Sequence, residues 1–348
     1  MTFRAQPSSL SPLVDTLAPS TYVDTMTAQV AGDAALGLRL AGLLGRRHPV
    51  AAAAVVTPSA VRTTANGAGL DSDFELASVS KALTGLLYAD ALDRGEVRPG
   101  STLGELLPLD DAPVAAVRLD ALSTHRGGLP RLPAAARPWR RTVELMRHGV
   151  NPYRESLDEL FAQARTVRVR PSPKPRYSNL GFELLGHAVA AAAGTTYADL
   201  VQQRLAGPLE LTGLYVPDDA SRLRPTALAG RSRGGRPREP WANAALGPAG
   251  GVRASIADLA RLIDALLDGT APGMAALDPV TRFGAGTRIG AGWVTTTVRG
   301  RSVTWHNGAT GGFRSWIGLD RAADTGVAIL SATAASVDGP GFGLLSSP

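Results

Sequence analysis

Two short apolar runs near the N-terminal end of the chain predict a pair of strands. Residues Val50–Val56 and Val61–Ala65 consist mainly of Ala, Val and Thr, and Pro58 and Ser59 stand between them. Apolar runs of this length that are separated by turn residues are typical of a β-hairpin. We therefore expect a sheet to begin here.

Apolar positions three and four residues apart predict two helices. The first covers Ser78–Arg94 and ends at Gly95. The second covers Ile256–Leu267, and the pair formed by Ser255 and Asp258 is a variant of the capping box that begins many helices.

The pattern in the remaining sequence indicates the fold class. Residues 101–248 are mostly helical in pattern, with loops rich in Pro, Gly and Arg. The C-terminal part predicts four strands: Trp293–Val298, Ser302–His306, Phe313–Leu319 and Thr325–Ser331. We therefore expect an α/β fold, in which an antiparallel sheet flanked by helices is built from both chain ends and an all-helical lobe is inserted. The predicted sheet lobe comprises residues 1–77 and 250–348, the helical lobe comprises residues 78–249, and the active site lies in the cleft between them.

The composition argues against several kinds of catalytic and structural site. The 348 residues include no cysteine, which excludes disulfides, a thiolate nucleophile and a Cys-ligated zinc site. The five histidines show no pair at helical i, i+4 spacing with a carboxylate between them, so a metal-dependent hydrolase is disfavoured. We expect neither a metal nor an organic cofactor.

The net charge of +6 does not by itself indicate an acidic partner. Arginines concentrate in residues 137–141 and 222–238, where Pro and Gly between them are typical of solvated loops. No apolar run approaches the ~20 residues that a membrane span needs, and no secretion signal is recognisable. We expect no nucleic-acid or membrane partner and a cytoplasmic location.

Ser78 and Lys81 are the first candidates for chemistry. They stand three residues apart at the start of a predicted helix, so their side chains share one face. A serine hydroxyl needs a base to become a nucleophile, and a desolvated lysine amine can be that base. Lys81 is one of only two lysines, the other being Lys174, whereas arginine cannot act as a base. The alternative explanation is a capping serine followed by a surface lysine.

Tyr177-Ser178-Asn179 precedes a predicted helix that covers Leu180–Ala193. A phenol near a lysine can pass protons between nucleophile and leaving group. The amide of Asn179 can donate to a substrate carbonyl and accept from an amine. Packing of a loop by Tyr177 and capping of the helix by Asn179 would explain the same residues without function.

Trp305-His306-Asn307-Gly308 ends a predicted strand. A glycine at a strand end lets substrate approach the backbone, and an N–H there can complete an oxyanion hole. A purely structural His306 is the alternative. Residues Gly230–Gly234 also match the Gly-x-Ser-x-Gly pattern around Ser232, but they lie in a basic loop without the strand and helix that this motif requires.

In this order the three segments resemble the motifs of the serine β-lactamase and penicillin-binding protein superfamily, which are Ser-x-x-Lys, then Ser-x-Asn or Tyr-x-Asn, and then Lys-Thr-Gly or His-x-Gly. The tyrosine form is similar to the class C branch. The resemblance extends over about Val50–Thr333 and includes these segments: Phe74–Lys81, Leu122–Pro130, Pro248–Val252 and Gly311–Ser315.

The resemblance implies a role for each matching residue. Ser78 is acylated, Lys81 accepts its proton, and Tyr177 relays a proton to the leaving group. The backbone N–H groups of Ser78 and Ala309 form the oxyanion hole. The implied substrate-binding positions are Asn179, His306, Asn307, Gly308, Ala309 and Arg314.

The sequence departs from the family pattern at two places. His306 replaces a lysine that binds the carboxylate of a β-lactam, and Arg314 is a candidate to supply the missing charge. Residues Ala334–Pro348, rich in Gly, Ser and Pro, predict no closing helix, which leaves Asp24–Leu44 to cover that face of the sheet.

These observations predict serine-dependent acyl transfer through an acyl-Ser78 intermediate, with a small ester or amide as substrate and water, an amine or an alcohol as acceptor. An intracellular transacylase in small-molecule biosynthesis is an alternative. A catalytically silent ligand-binding or sensor module of the same fold is an alternative of another class.

Overall fold

The structure, a computed structural model, describes residues 30–133, 137–170 and 174–348. Nine strands form one antiparallel sheet: β1 (Val30–Gly32), β2 (Ala51–Thr57), β3 (Ala60–Asn66), β6 (Thr281–Gly284), β7 (Thr287–Ile289), β8 (Val294–Val298), β9 (Arg301–Ala309), β10 (Arg314–Asp320) and β11 (Thr325–Ser331). Their order is β1-β3-β2-β11-β10-β9-β8-β7-β6. Two short strands, β4 (Phe74–Glu75) and β5 (Arg253–Ala254), pair separately beside it.

The two chain ends meet in the middle of this sheet. β2 pairs with β11, with Ala54 opposite Ala328, and β2 turns directly into β3. Each of the four predicted C-terminal strands is present, shifted by at most a few residues at its ends. The predicted fold class, an antiparallel sheet assembled from both ends of the chain and flanked by helices, is therefore confirmed. The exact division into lobes stays a prediction, and residues 1–29 of the first lobe lie outside the described part.

The helices predicted at Ser78–Arg94, Leu180–Ala193 and Ile256–Leu267 are present, with ends shifted by at most two residues. The described residues form nine α-helices in all. They are α1 (Ala34–Leu44), α2 (Ser80–Asp93), α3 (Leu119–Ser123), α4 (Pro138–His148), α5 (Leu157–Arg165), α6 (Asn179–Ala192), α7 (Tyr197–Val201), α8 (Ile256–Leu267) and α9 (Asp338–Ser346). Ser255 and Asp258 form the expected capping box at α8. Within the described ranges, no helix combines the length and the apolar character that crossing a membrane requires.

The two faces of the sheet pack against different helices. Ala54, Ile317 and Ala328 belong to a core shared with α2, α6 and α8, and we call this side the inner face. Val55, Trp316 and Ile329 belong to a second core shared with α1 and α9, and we call this side the outer face. Successive residues of a strand alternate between the two faces.

The C-terminal residues form a closing helix, so the prediction for Ala334–Pro348 was wrong. α9 lies on the outer face, where Leu344 and Leu345 are buried. Gly341 permits this contact, because a Cβ at that position would lie 2.4 Å from the Trp316 ring. Glycine and serine lower helix propensity, but packing on a large apolar surface outweighs that cost. α1 covers the same face as expected, whereas residues 24–29 lie outside the described part.

Candidate active site

Ser78 follows a tight turn that is anchored on two sides. The residue before it, Ala77, is buried with φ = 50°, in the left-handed region that costs a non-glycine residue about 1–3 kcal/mol. The Leu76 N–H donates to the Val252 carbonyl at 2.9 Å, and the Ser315 hydroxyl donates to the Leu76 carbonyl at 2.6 Å. These bonds hold the turn, so a fixed backbone presents the half-buried Ser78 at the start of α2.

Lys81 lies one helical turn after Ser78 and has an exposed fraction of 0%. Its Nζ lies 3.3 Å from Ser78 Oγ and donates to the Ala249 carbonyl at 2.5 Å. Ala249 belongs to the buried segment Gly247–Gly251, which packs against α2. An amine within hydrogen-bonding distance of a serine hydroxyl and shielded from water is placed to take the hydroxyl proton.

Tyr177 lies against the Lys81 amine, with Nζ 5.0 Å from the centroid of the phenol ring. His125 supports the same ring at a centroid distance of 4.5 Å, and its Nδ1 accepts the N–H of Ser178 at 3.2 Å. Burial, and then the charges of Lys81 and His306, hold the pKa of His125 well below its usual range. A neutral His125 therefore fixes the position of Tyr177 without adding charge to the site.

Asn179 is the first residue of α6 and is buried. Its Nδ2 donates to the Tyr153 hydroxyl, and its Oδ1 has no hydrogen-bond partner among the described residues. The donor expected to bind a substrate carbonyl is therefore used by Tyr153, which no sequence motif indicated. The open Oδ1 can still accept from an amine, as predicted for this residue.

His306 is buried on β9 and faces the inner side, opposite Ile317 of β10. Its Nδ1 lies 2.7 Å from the Asn307 carbonyl. Because a carbonyl can only accept, Nδ1 carries the hydrogen and Nε2 is an acceptor. Burial, and then the charge of Lys81, lower the pKa of His306 to about 3. A neutral imidazole therefore stands at the third segment, without the positive charge that a lysine there would carry.

β9 approaches the Ser78 turn at Gly308, where only a glycine fits. A Cβ on Gly308 would lie 2.2 Å from Ser315 Oγ, 2.3 Å from the Leu76 carbonyl oxygen and 3.0 Å from the Ala77 Cβ. Real Cβ atoms do not come so close to backbone atoms. The glycine therefore sets the distance between this strand and the nucleophile.

The Ala309 N–H points toward an open strand edge. The Thr310 N–H donates to the Phe313 carbonyl, and hydrogen-bonded pairs alternate along antiparallel strands, so the Ala309 N–H points away from β10. On that side β8 does not extend so far, because its first residue pairs with Trp305. An N–H at such an edge, beside the Ser78 turn, has the placement that an oxyanion donor needs.

Asn307 and Arg314 lie on the outer face, away from Ser78. The Asn307 amide donates to Asp338 of α9 at 3.1 Å. The Arg314 guanidinium donates to the carbonyls of Thr310 and Phe313, each at 2.9 Å. Strand alternation therefore keeps the Arg314 side chain away from the site, whereas Asn307 also lines a cavity beside Tyr177 and His306.

Glu183 is a buried carboxyl that sequence reasoning missed. It lies on α6 one turn after Asn179 and interacts electrostatically with Lys81. Burial raises the pKa of Glu183 to about 8, opposed by Lys81 and reinforced by Glu155. A single acidic residue within the apolar run Leu180–Ala193 was the signal that could have identified it.

The described residues do not form the other two kinds of site considered from the sequence, a nucleophile at Ser232 and a metal site. Ser232 is half-buried in a loop, and its hydroxyl accepts the Arg236 N–H within a turn, as expected for a loop serine. Across residues 30–133, 137–170 and 174–348, no cluster of His, Asp or Glu has the arrangement to hold a metal ion. The groups gathered around Ser78 can instead support nucleophilic attack, proton transfer and stabilisation of an oxyanion.

Comparison with known proteins supplies an independent view of the chain. The Beta-lactamase family profile matches residues 24–341. A D-alanyl-D-alanine-carboxypeptidase/endopeptidase, AmpH of Escherichia coli (strain K12), is 29% identical over 164 residues, which is 44% of this chain and 40% of the relative. The aligned region thus spans less than half the length of that curated relative.

Solved structures share the fold. The D-alanine carboxypeptidase AmpC from Burkholderia cenocepacia is 22% identical and superposes with a TM-score of 0.72 over 94% of this chain and 99% of its own. The class C β-lactamase from Rhodobacter sphaeroides is 20% identical, with a TM-score of 0.70 over 86% of this chain and 94% of its own. At these identities the likeness establishes the architecture.

Proposed function

Because the chain belongs to the Beta-lactamase family, we propose that it is a serine acyl-transfer enzyme that works through an acyl-Ser78 intermediate. Its substrate is a small ester or amide, and water or another nucleophile takes the acyl group. The observation that carries the proposal is the 3.3 Å distance between Ser78 Oγ and the fully buried Lys81 Nζ.

In the first step Ser78 Oγ attacks the substrate carbonyl while Lys81 takes the hydroxyl proton. The negative charge that develops on the carbonyl oxygen is received by the N–H groups of Ser78 and Ala309. The first turn of a helix offers such N–H groups without intrahelical partners. Collapse of the tetrahedral intermediate breaks the bond to the leaving group, which receives its proton through Tyr177.

In the second step an acceptor attacks the acyl-Ser78 ester. As it attacks, the acceptor gives up a proton to Tyr177, and Lys81 delivers a proton to Ser78 Oγ as the ester bond breaks, so an acid is released when the acceptor is water. An amine or alcohol in place of water would give transfer instead of hydrolysis. Ser78 is activated in the same way for hydrolysis and for transfer, so an experiment is needed to identify the acceptor.

The test is the intact mass of the protein after exposure to p-nitrophenyl acetate, a fluorophosphonate and a β-lactam. We expect the fluorophosphonate to add to the wild type and to the Ser232→Ala control, but not to Ser78→Ala. Lys81→Met should retain Ser78 but react at least ~100-fold more slowly, because the base is missing. An equal adduct on Ser78→Ala, or none on the wild type, would leave the ligand-binding module as the better explanation.

Added amine identifies the acceptor. If acetyl-Ser78 forms, its decay in water gives the hydrolysis rate. Faster decay with increasing amine, together with formation of the corresponding amide, would indicate a transacylase. A decay rate that is independent of amine would indicate a hydrolase.

A further inference from the structure

A cavity of about 420 Å³ lies beside Tyr177, between the β6–β7 hairpin and the strand that carries His306. Its walls include Phe283 and Ile289 from the hairpin, Val294 from β8, and Trp305 and Asn307 from β9. Phe283 is half-buried, and its ring lies 5.7 Å from the ring of His125, which packs against Tyr177. A volume of this size accommodates a small aromatic or alkyl group.

Among the described residues, no Asp, Glu, Lys or Arg lines this cavity. The two histidines in its wall, His125 and His306, have pKa values lowered by burial and by Lys81, and are therefore neutral near pH 7. Lys81 lies against the Tyr177 ring and does not line the cavity. Arg131 is exposed, with its guanidinium carbon 5.9 Å from the centroid of that ring, and also does not line the cavity.

The position of Tyr177 indicates which part of a substrate enters. A phenol that passes a proton to a leaving group must lie within about 3 Å of the departing atom. The body attached to that atom then lies next to Tyr177. The cavity that Tyr177 borders is the space available there.

Building on the proposed acyl-Ser78 chemistry, we propose that this cavity receives the leaving group of the substrate and selects an uncharged, apolar alcohol or amine. The bond from the acyl carbon to the departing oxygen or nitrogen breaks as the bond to Ser78 Oγ forms. The proton lost by Ser78 leaves with the departing group. A carboxylate on that group would enter an uncharged cavity without a cation to pair with, which is costly.

Two esters with the same acetyl group test this selection. 4-Acetoxybenzamide and 4-acetoxybenzoate differ in whether the leaving group carries a neutral amide or a carboxylate. Their kcat/KM values, each divided by the rate constant for hydroxide-catalysed hydrolysis, should favour the benzamide by on the order of tenfold or more. Phe283→Lys places a cation in the wall and should reduce that ratio severalfold, whereas the matched Phe283→Met should leave it unchanged.

A second pair moves the charge to the acyl side. Phenyl hydrogen succinate and phenyl methyl succinate share phenol as leaving group, and we expect a much smaller difference between them. An equal or larger penalty on the acyl side would show that the cavity holds the acyl group and would overturn the assignment. A wild-type preference for 4-acetoxybenzoate would also overturn it, and loss of that preference in Arg131→Gln would identify Arg131 as the cause.

The outcomes separate this inference from the function on which it rests. If Ser78 is acetylated by both acetoxy esters at equal corrected rates, the selection by the cavity fails and acyl transfer stands. If neither ester nor the fluorophosphonate modifies Ser78, acyl transfer fails and the selection fails with it. If Phe283→Lys does not fold, the ratio of corrected kcat/KM values for the two acetoxy esters on the wild type still decides whether the cavity disfavours a charged leaving group.

Discussion

The inner and outer faces of strands β9 and β10 differ sharply, although alternate residues of the same two strands form them. On the inner face, His306, Gly308 and Ser315 adjoin the turn that carries Ser78. On the outer face, Asn307 binds the first residue of α9, and Trp316 is fully buried under that helix. Successive residues of these strands thus alternate between contacting the turn that carries Ser78 and packing in the outer core.

The difference lies in what each face requires of a side chain. The inner face needs close approach and neutral polar groups, which Gly308 and His306 supply. The outer face needs apolar bulk and an anchor for α9, which Trp316 and Asn307 supply. Substitutions on the inner face should therefore change activity more than stability, and substitutions on the outer face should do the reverse.

Two strand glycines provide the largest expected contrast. Gly308→Ala places a Cβ against the Leu76 backbone and should move β9 away from Ser78, lowering kcat/KM by on the order of 100-fold. Gly318→Ala is the matched outer-face change, because the atoms nearest to its Cβ belong to the Trp316 ring, the closest at 2.1 Å. We expect it to lower the melting temperature with kcat/KM nearly unchanged. Equal losses of activity in both variants would break the comparison.

The pH dependence of stability provides a second contrast, which originates on the inner side. Glu183 has a folded-state pKa of about 8 against an ordinary value of 4.5, so the folded protein keeps a proton that the unfolded chain releases. Its contribution to stability is complete below pH 4.5 and is lost as the pH rises through 8, at no more than about 1.4 kcal/mol per pH unit. Glu183→Gln should flatten this loss in urea titrations between pH 5 and 9.

At acidic pH, His306 makes the stability depend on pH with the opposite sign. The pKa of His306 is lowered from 6.5 to about 3, so stability is lost as the pH falls through that window. Glu183→Gln should leave that acid loss in place. Parallel alkaline curves for wild type and Glu183→Gln would show that Glu183 is ionised in the folded protein and paired with Lys81.

Period and turn residues were sufficient to predict six of the nine strands of the sheet, because strand alternation and turn chemistry are local properties of the chain, but the short strands β1, β6 and β7 were not predicted. The hairpin turn after Thr57 and, for a helix, the capping box at Ser255 are such local signals. α9 was not predicted, because its residues are poor helix formers and its stability comes from contact with Trp316 and the rest of the outer core. Tertiary packing of that kind leaves no periodic signal.

The candidate site was predicted in part for the same reason. Ser78 and Lys81 are three residues apart on one helix, so their proximity follows from helix geometry alone. Asn307 was placed in the site by the resemblance and Arg314 as a candidate for the missing positive charge, but the face on which each one falls depends on register. Tyr153 and Glu183 enter from other elements, which sequence distance could not reveal.

Arg314→Ala tests the charge that the third motif lacks. If Arg314 serves the β9–β10 loop, its removal should destabilise the protein by about 2 kcal/mol, because two charge-assisted hydrogen bonds to carbonyls are lost. The KM for anionic esters should not change. A severalfold rise in KM for 4-acetoxybenzoate alone, with the melting temperature unaffected, would place the guanidinium in the substrate site.

Asn307→Ala should have the smallest effect and tests the outer face most directly. Its amide bonds Asp338 at the start of α9, and loss of that bond should cost about 1 kcal/mol. Asp338→Ala removes the partner, so the double variant should be less destabilised than the sum of the two single variants. Asn307 also lines the cavity beside Tyr177, but its amide is held by Asp338 on the side away from His306, so we expect kcat/KM to change little in all three variants. A tenfold fall in kcat/KM for Asn307→Ala with additive stabilities would return Asn307 to the substrate-binding role that its sequence position first suggested.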